Sequence, residues 1–293
     1  MRIRKYYEQP DKPLTATLEG LALAGAATDG FVAPVDVDAA MNAAKEMPVL
    51  YVAEEGGAAT GFLYVFAPRR DEIEVNALVA PERRRKGVFT ALLREAVAHS
   101  APFGYDKGLL VCDARSASGR AVLERWSVPF EHAEHQMALT LTARPGPVRE
   151  GLDLSEARLA DLPELAALSA AAFGMDLQST AEVMGMSIRS GERTQWVLRD
   201  GGKPVGLCAK AEKDDAYLLY GLAIHPSERR RGYARAMLDL VAGRALDAGV
   251  RSVVLDVDSA NEAAIALYEG YGFEQTQSAL YHAFEFARFG GAQ

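Results

Sequence analysis

Two stretches of this sequence place chemically capable residues at a fixed spacing. The first is Arg229-Arg230-Arg231-Gly232-Tyr233-Ala234. Guanidinium groups fork onto anionic oxygens. Glycine removes the Cβ that would hold an anion off the backbone. A helix that opens here presents N–H groups with no internal partner, aimed at an incoming anion. With Leu222-Ala223-Ile224 before it and Arg235 after it, the stretch reads as a cradle for a phosphate-bearing ligand. The second stretch runs from Asn261 through Leu267-Tyr268 to Gly272-Phe273. A phenol with a pKa of about 10 can protonate a thiolate leaving group. The alternative for Tyr268 is packing between Leu267 and Phe273. Candidate proton acceptors are Glu212, Asp214, Asp215, Tyr217 and Tyr220, on or near the apolar run into the cradle. Acids at a turn are more often simply solvated, and a water chain is another base. His225, before Pro226, is a further candidate base but more readily reads as a cap on the strand end.

The cradle needs elements that fix it. Ala216 to Ile224 reads as a strand, Pro226 to Arg231 as a loop, and Gly232 to Ala248 as a helix. In that helix Leu238, Val241, Ala242 and Ala245 recur at helical spacing. Val253 to Val257 is an apolar run suited to a buried strand, and Asn261 opens a helix to about Tyr271. Upstream, Leu152 to Leu159 reads as a strand and Asp161 as the cap of a helix through Phe173. Gln195–Arg199 and Lys203–Lys210 form a hairpin across Asp200-Gly201-Gly202. Phe173 to Ser190 reads as loop, and Gln275 to Phe286 as a closing hairpin that includes Tyr281-His282. Loops of this kind face substrates.

The order occurs twice. Leu78 to Gly87 resembles Ala223 to Gly232, and aligning Gly87 with Gly232 sets an offset of 145 positions. The same offset pairs Pro81 with Pro226, Arg84 with Arg229, Asp113 with Asp258 and Ser116 with Asn261. Persistence without a gap points to duplication rather than two chance basic turns. Pro and Gly punctuate Ala143 to Gly151. The expected domains are therefore 1–143 and 152–293, each an α+β unit with a mixed central sheet flanked by helices.

Composition narrows the function. The chain has 293 residues, 49% apolar and 25% charged, with a net charge of −8. That is ordinary for a globular protein. It opposes broad nucleic-acid binding, which needs a basic face. Cys112 and Cys208 lie in separate apolar runs and read as core thiols, so neither a disulfide nor a metal site is expected. No apolar segment follows Met1-Arg2-Ile3-Arg4-Lys5, and no run is long enough for a membrane span. A cytoplasmic protein with no membrane partner is expected, and a homodimer is compatible with everything read here. Neither Gly-x-x-x-x-Gly-Lys-Ser/Thr nor Gly-x-Gly-x-x-Gly occurs, which excludes the common nucleotide loops.

Arg229-Arg230-Arg231-Gly232-Tyr233-Ala234 resembles the Gln/Arg-x-x-Gly-x-Gly/Ala motif of the GNAT superfamily of N-acetyltransferases. Asn261, Leu267-Tyr268 and Gly272-Phe273 match that family's second signature, and Asp161-Leu162-Pro163 suits its start. The resemblance covers residues 152–286 well and the first half more weakly, so the whole looks like a tandem acetyltransferase. It implies acetyl-CoA as cosubstrate, a small amine as acceptor, and no metal. It also implies that the strand ending at Leu222-Ala223-Ile224 splays from its neighbour to bond the pantetheine arm. One N–H there would polarise the thioester carbonyl. Tyr268 falls on the family's general acid, and 222–224, 229–235 and Asn261 on its cofactor contacts.

The offset exposes an asymmetry. Leu123 stands opposite Tyr268, and Phe89 opposite Ala234. Leucine donates no proton, and Glu72 and Glu74 on the matching strand have no acid to work with. The first half is therefore expected to be a degenerate copy. Two other functions compete. One is an acyl-CoA sensor or interaction module without turnover, and the other is nucleic-acid binding through the arginines.

Overall fold

The computed structural model describes residues 1–289 except 34, 36, 38, 40, 192 and 214. The chain packs into two compact units. One is Met1–Glu134 with the chain from Gln277, and the other is His135–Thr276.

In the first unit the elements are β1 (Arg2–Tyr6), α1 (Lys12–Asp29), β2 (Leu50–Glu55), β3 (Ala58–Phe66), β4 (Ile73–Val79), α2 (Val88–Ser100), β5 (Lys107–Asp113) and α3 (Ala117–Arg125). β6 (Phe130–Thr140) follows, and its later residues belong to the second unit. The second unit continues with β7 (Leu152–Glu156), α4 (Leu162–Phe173), α5 (Leu177–Ser190), β8 (Thr194–Asp200), β9 (Lys203–Lys213), β10 (Ala216–Ile224), α6 (Tyr233–Asp247), β11 (Ser252–Asp258) and α7 (Glu262–Tyr271). β12 (Glu274–Glu285) leads back to the first unit.

The first unit's strands run β1-β2-β3-β4-β5-β12. All neighbours are antiparallel except β4 and β5, which are parallel. The second unit runs β7-β8-β9-β10-β11-β6; β10 and β11 are parallel, and β7-β8, β8-β9 and β9-β10 are antiparallel. Each unit is an α+β layer with a mixed sheet, and each is completed by a strand from the other half of the sequence. The halves 1–143 and 152–293 describe the repeat; the compact units exchange their last strands.

Helices cover both faces. In the first unit Tyr51, Leu63 and Ile73 pack with Leu92 and Leu93 of α2, all 0% exposed. On the other face α1 lays Leu18 and Ala22 against Leu50 and Phe62. In the second unit α6 buries Leu238, Val241, Ala242 and Ala245, the stripe expected from its spacing, together with Met237. α4 buries Leu165 and Leu168 against Val197, Leu207 and Ala223 on the opposite face. Burying one such side chain contributes about 1.5–3 kcal/mol. Among the described residues no helix is long and apolar enough to cross a membrane.

Two expected elements differ. Gln275 to Phe286 is not a hairpin: through Glu285 it is the single strand β12, because it holds no Gly, Pro, Asn or Asp to turn on. The expected loop 173–190 is mostly α5, capped by Asp176, whose side chain accepts from the Ser179 N–H.

Candidate active site

β10 delivers the cradle. It pairs with β11 only from Ala216 to Leu219, so Tyr220 onward leaves that neighbour. On its other edge the register with β9 slips between Tyr220 and Ala223, with Gly221 at φ +54°. This is a bulge, and Cys208 of β9 lies opposite the extra residues, between the partners of Tyr220 and Ala223. Leu222-Ala223-Ile224 thus sits on a strand end that has peeled from one neighbour and buckled against the other.

The chain then turns through Pro226–Glu228, capped by His225, whose Nδ1 accepts from the Ser227 N–H at 3.3 Å. Arg230 follows at φ 63° and Gly232 at φ 80°. The first bond of α6 runs from the Ala236 N–H to the Gly232 carbonyl, so Tyr233, Ala234 and Arg235 have no carbonyl behind them to bond. Their N–H groups are the open donors at the expected cradle.

The side chains of the motif are largely committed elsewhere. Arg229 donates from Nε to the Ile224 carbonyl at 3.3 Å and from Nη2 to the Ala172 carbonyl at 2.8 Å, so it braces the loop against α4. Arg231 pairs with Glu228, which also accepts from Lys203 Nζ at 2.7 Å. The Lys203 hydrogen bond, then the charges of Lys203 and Arg231, holds that carboxyl below its ordinary range. Tyr233 is buried and donates its hydroxyl to Asp200, which also takes Arg149. Arg235 donates to the Gly270 carbonyl at 3.3 Å and lies 5.2 Å from the Tyr271 ring centroid, tying α6 to α7. Asn261 caps α7, its Oδ1 accepting from the Ala264 N–H at 3.2 Å. Sequence reasoning missed Glu228 and Lys203; the signal was an acid beside a run of arginines.

Tyr268 lies on α7, 7% exposed, with its ring 5.6 Å from Phe273. Its hydroxyl has no hydrogen bond among the described residues. Burial first, then the neighbouring Cys208 thiol, pushes its pKa up to about 12. Because Cys208 is also the residue facing the bulge, Tyr268 and the peeled strand end share one neighbourhood. Cys208 is 0% exposed, and burial pushes its thiol up to about 12, so it stays protonated and inert.

The candidate bases separate. Glu212 and Asp215 lie at the opposite end of β10 from Ile224, roughly 25 Å away at strand rise; Glu212 bonds Lys210 at 3.3 Å. Asp214 lies outside the described residues. Tyr217 is buried, with Lys210 Nζ 4.4 Å from its ring. Only Tyr220 borders the bulge, under the Arg193 guanidinium at 4.1 Å. Tyr281 and His282 belong to the first unit, where Tyr281 donates to Glu134 at 2.9 Å. Among the described residues no group of three or more His, Cys, Asp or Glu is arranged to hold a metal ion.

The first unit repeats this backbone 145 positions earlier. Arg85 is at φ 61°, Gly87 at φ 81°, and Arg84 Nε bonds the Val79 carbonyl at 3.0 Å. Ser116 caps α3 as Asn261 caps α7. β4 also leaves β5, after Val75, but its register with β3 is unbroken from Gly61 to Phe66, so there is no bulge. Arg84 places both terminal nitrogens on Asp29, at 2.7 and 2.6 Å. Glu74 sits where β4 begins to leave β5, its pKa pushed from 4.5 to about 7 by burial, then Glu134 and Glu72. A raised carboxyl binds its proton more tightly in the folded unit, so stability falls as pH rises from about 4.5 through 7. Thermal unfolding should show this loss, on the order of 1–2 kcal/mol after solvent screening. Glu74→Gln should flatten it, and an unchanged slope would remove Glu74 as the cause.

Comparison with known proteins fits this geometry. Residues 163–273 match the Acetyltransferase (GNAT) family. Ribosomal protein bS18 alanine N-acetyltransferase of Escherichia coli (strain K12) is 34% identical over 86 residues, 29% of this chain and 58% of that protein. N-acetyltransferase 8 of Homo sapiens is 32% identical over 92 residues, 29% of this chain and 40% of that protein. The chain spans about half the length of these curated relatives. The GCN5-related N-acetyltransferase from Sphaerobacter thermophilus superposes with a TM-score of 0.77 at 20% identity, covering 97% of this chain and 95% of the other. A tandem GNAT protein from the clavulanic acid biosynthesis pathway superposes with a TM-score of 0.73 at 16% identity over the full length of both. The match to the GNAT acetyltransferase family thus lies within the second half of the sequence. The chain's fold over the whole length is that of a tandem GNAT protein.

Proposed function

We propose that this chain is an acetyl-CoA-dependent N-acetyltransferase, in which the second unit transfers acetyl to a small primary amine by direct attack. One observation supports the reading: Tyr268, whose hydroxyl is unbonded among the described residues, belongs to the same core cluster as Ile224 at the bulged end of β10 and Tyr233 at the open start of α6, with Leu222 and Ala234 packed against it. The N–H groups of 233–235 bind the pyrophosphate, with charge from Arg229, Arg230 and Arg231 around it. The strand end at Leu222-Ala223-Ile224 bonds the pantetheine arm, and one N–H there polarises the thioester oxygen. The neutral amine nitrogen attacks the carbonyl carbon. The C–N bond forms, the C–S bond breaks, and the sulfur leaves with its electron pair. Tyr268 gives that thiolate its proton, and a water near Tyr220 or His225 carries off the ammonium proton. Asn261 supports the site by opening α7.

The first unit, with Leu123 in place of Tyr268, is a non-catalytic copy in this reading. A cytoplasmic location belongs to the same reading. The test is a screen of primary amines with acetyl-CoA, read as free thiol release. Turnover with at least one amine is expected; tight coenzyme A binding with no turnover on any acceptor would favour the sensor instead. Gly232→Val should weaken coenzyme A binding about tenfold or more, because its φ of 80° is costly for a β-branched residue. Unchanged affinity would remove the loop from the site.

A further inference from the structure

The two cradles share a backbone but not their surroundings. At three positions 145 residues apart, the second unit has Ala234, Tyr271 and Arg144 where the first has Phe89, Trp126 and Phe289. In the first unit the rings meet. Phe89, in the first turn of α2, stacks on Trp126 with centroids 5.3 Å apart and planes 16° apart. Trp126, at the end of α3, lies 5.0 Å from Phe289, which follows β12. Phe289 is 8% exposed and packs edge-on to Phe284 at 5.5 Å. Among the described residues no comparable ring stack closes the second unit. Ala234 is small, the Tyr271 hydroxyl is held by Asp239 at 2.8 Å, and Arg144 turns to Asp247.

Resting on the acyl-CoA reading of the second unit, we propose that the chain binds one acyl-CoA, and that the matching cleft of the first unit is filled by its own rings, the last supplied from beyond β12. A cofactor lying between its cradle and the helix that bears Tyr268 must pass Ala234 in the second unit. The same path in the first unit meets Phe89 held against Trp126. Opening it would return rings that each bury about 150–250 Å² to water. Two further features agree. The first unit has no bulge to offer backbone groups, and both terminal nitrogens of Arg84 are taken by Asp29. Phe289 thus makes residues 286–289, after β12, part of the first unit's core.

Titration of the full-length protein with coenzyme A, followed by calorimetry, should give one site per chain. Ala234→Phe, which copies the first unit's ring into the second, should weaken that site at least 100-fold. Trp126 and Trp196 are the only tryptophans. In Trp196→Phe, saturating coenzyme A should therefore leave the remaining Trp126 emission unchanged. Two sites per chain, full affinity in Ala234→Phe, or a shift in Trp126 emission would each overturn the one-site inference while leaving the proposed function intact. No binding by the unaltered protein would overturn the proposed function and the inference with it.

Discussion

Replacing Tyr268 by phenylalanine should lower kcat by about 10²–10³-fold while leaving the KM for acetyl-CoA within a few-fold, since a positioned general acid contributes on that scale. The substitution removes one oxygen that bonds nothing among the described residues and keeps a ring that is 7% exposed. Folding should therefore hardly change, and a thermal melt run beside the assay separates chemistry from packing. The pH dependence sharpens the test. With its pKa pushed up to about 12, Tyr268 keeps its proton across the working range. The unaltered enzyme should show no alkaline loss of kcat below about pH 10 from this group. An acidic limb, from the group or water that deprotonates the amine, should persist in Tyr268→Phe. If Tyr268→Phe keeps full kcat while Leu123→Ala abolishes it, the two units have been assigned the wrong way round.

Gly206→Ala should destabilise the second unit by about 1–3 kcal/mol, the usual cost of overpacking. A Cβ there would sit 2.8 Å from the Ala223 carbonyl oxygen, 2.8 Å from Met237 Cε and 2.6 Å from Ile224 Cδ1. Side chains can turn away, but the carbonyl belongs to the strand end that presents the cradle. The strand must shift, so any folded fraction should also bind coenzyme A less well. Gly270→Ala is the control: a Cβ there meets nothing within 4 Å, and alanine in a helix should be neutral or stabilising by about 0.5–1 kcal/mol. Equal melting temperatures for Gly206→Ala and the unaltered protein would show that β9 and β10 are not held as closely as this contact requires. Gly61, at the matching position, would meet the Leu78 carbonyl oxygen at 2.9 Å, so the same constraint operates in both units.

Much of this was legible in the residues. Strand, basic turn and helix follow from local rules: apolar alternation into Ile224, Pro226 and Gly232 as punctuation, and a helical stripe from Leu238 onward. Motif spacing brought Tyr268 and Gly232 into one hypothesis. The asymmetry between the copies was readable too, because Leu123 and Phe89 are simple substitutions at aligned positions. α1 and β6 carried weaker signals. Strand Phe130–Thr140 mixes charged and aromatic residues because only part of it faces a core.

What the sequence determined by itself is the backbone of the cradle and its repetition, since turn geometry and helix initiation depend on residues within a few positions of one another. The tertiary structure decided what each side chain is free to do. Arg229 and Arg235 looked like phosphate ligands, yet they bond the Ala172 and Gly270 carbonyls, partners 57 and 35 positions away. Phe289 joins Trp126 only because β12 returns to β5. Such pairings depend on which strands become neighbours, and no local spacing encodes that.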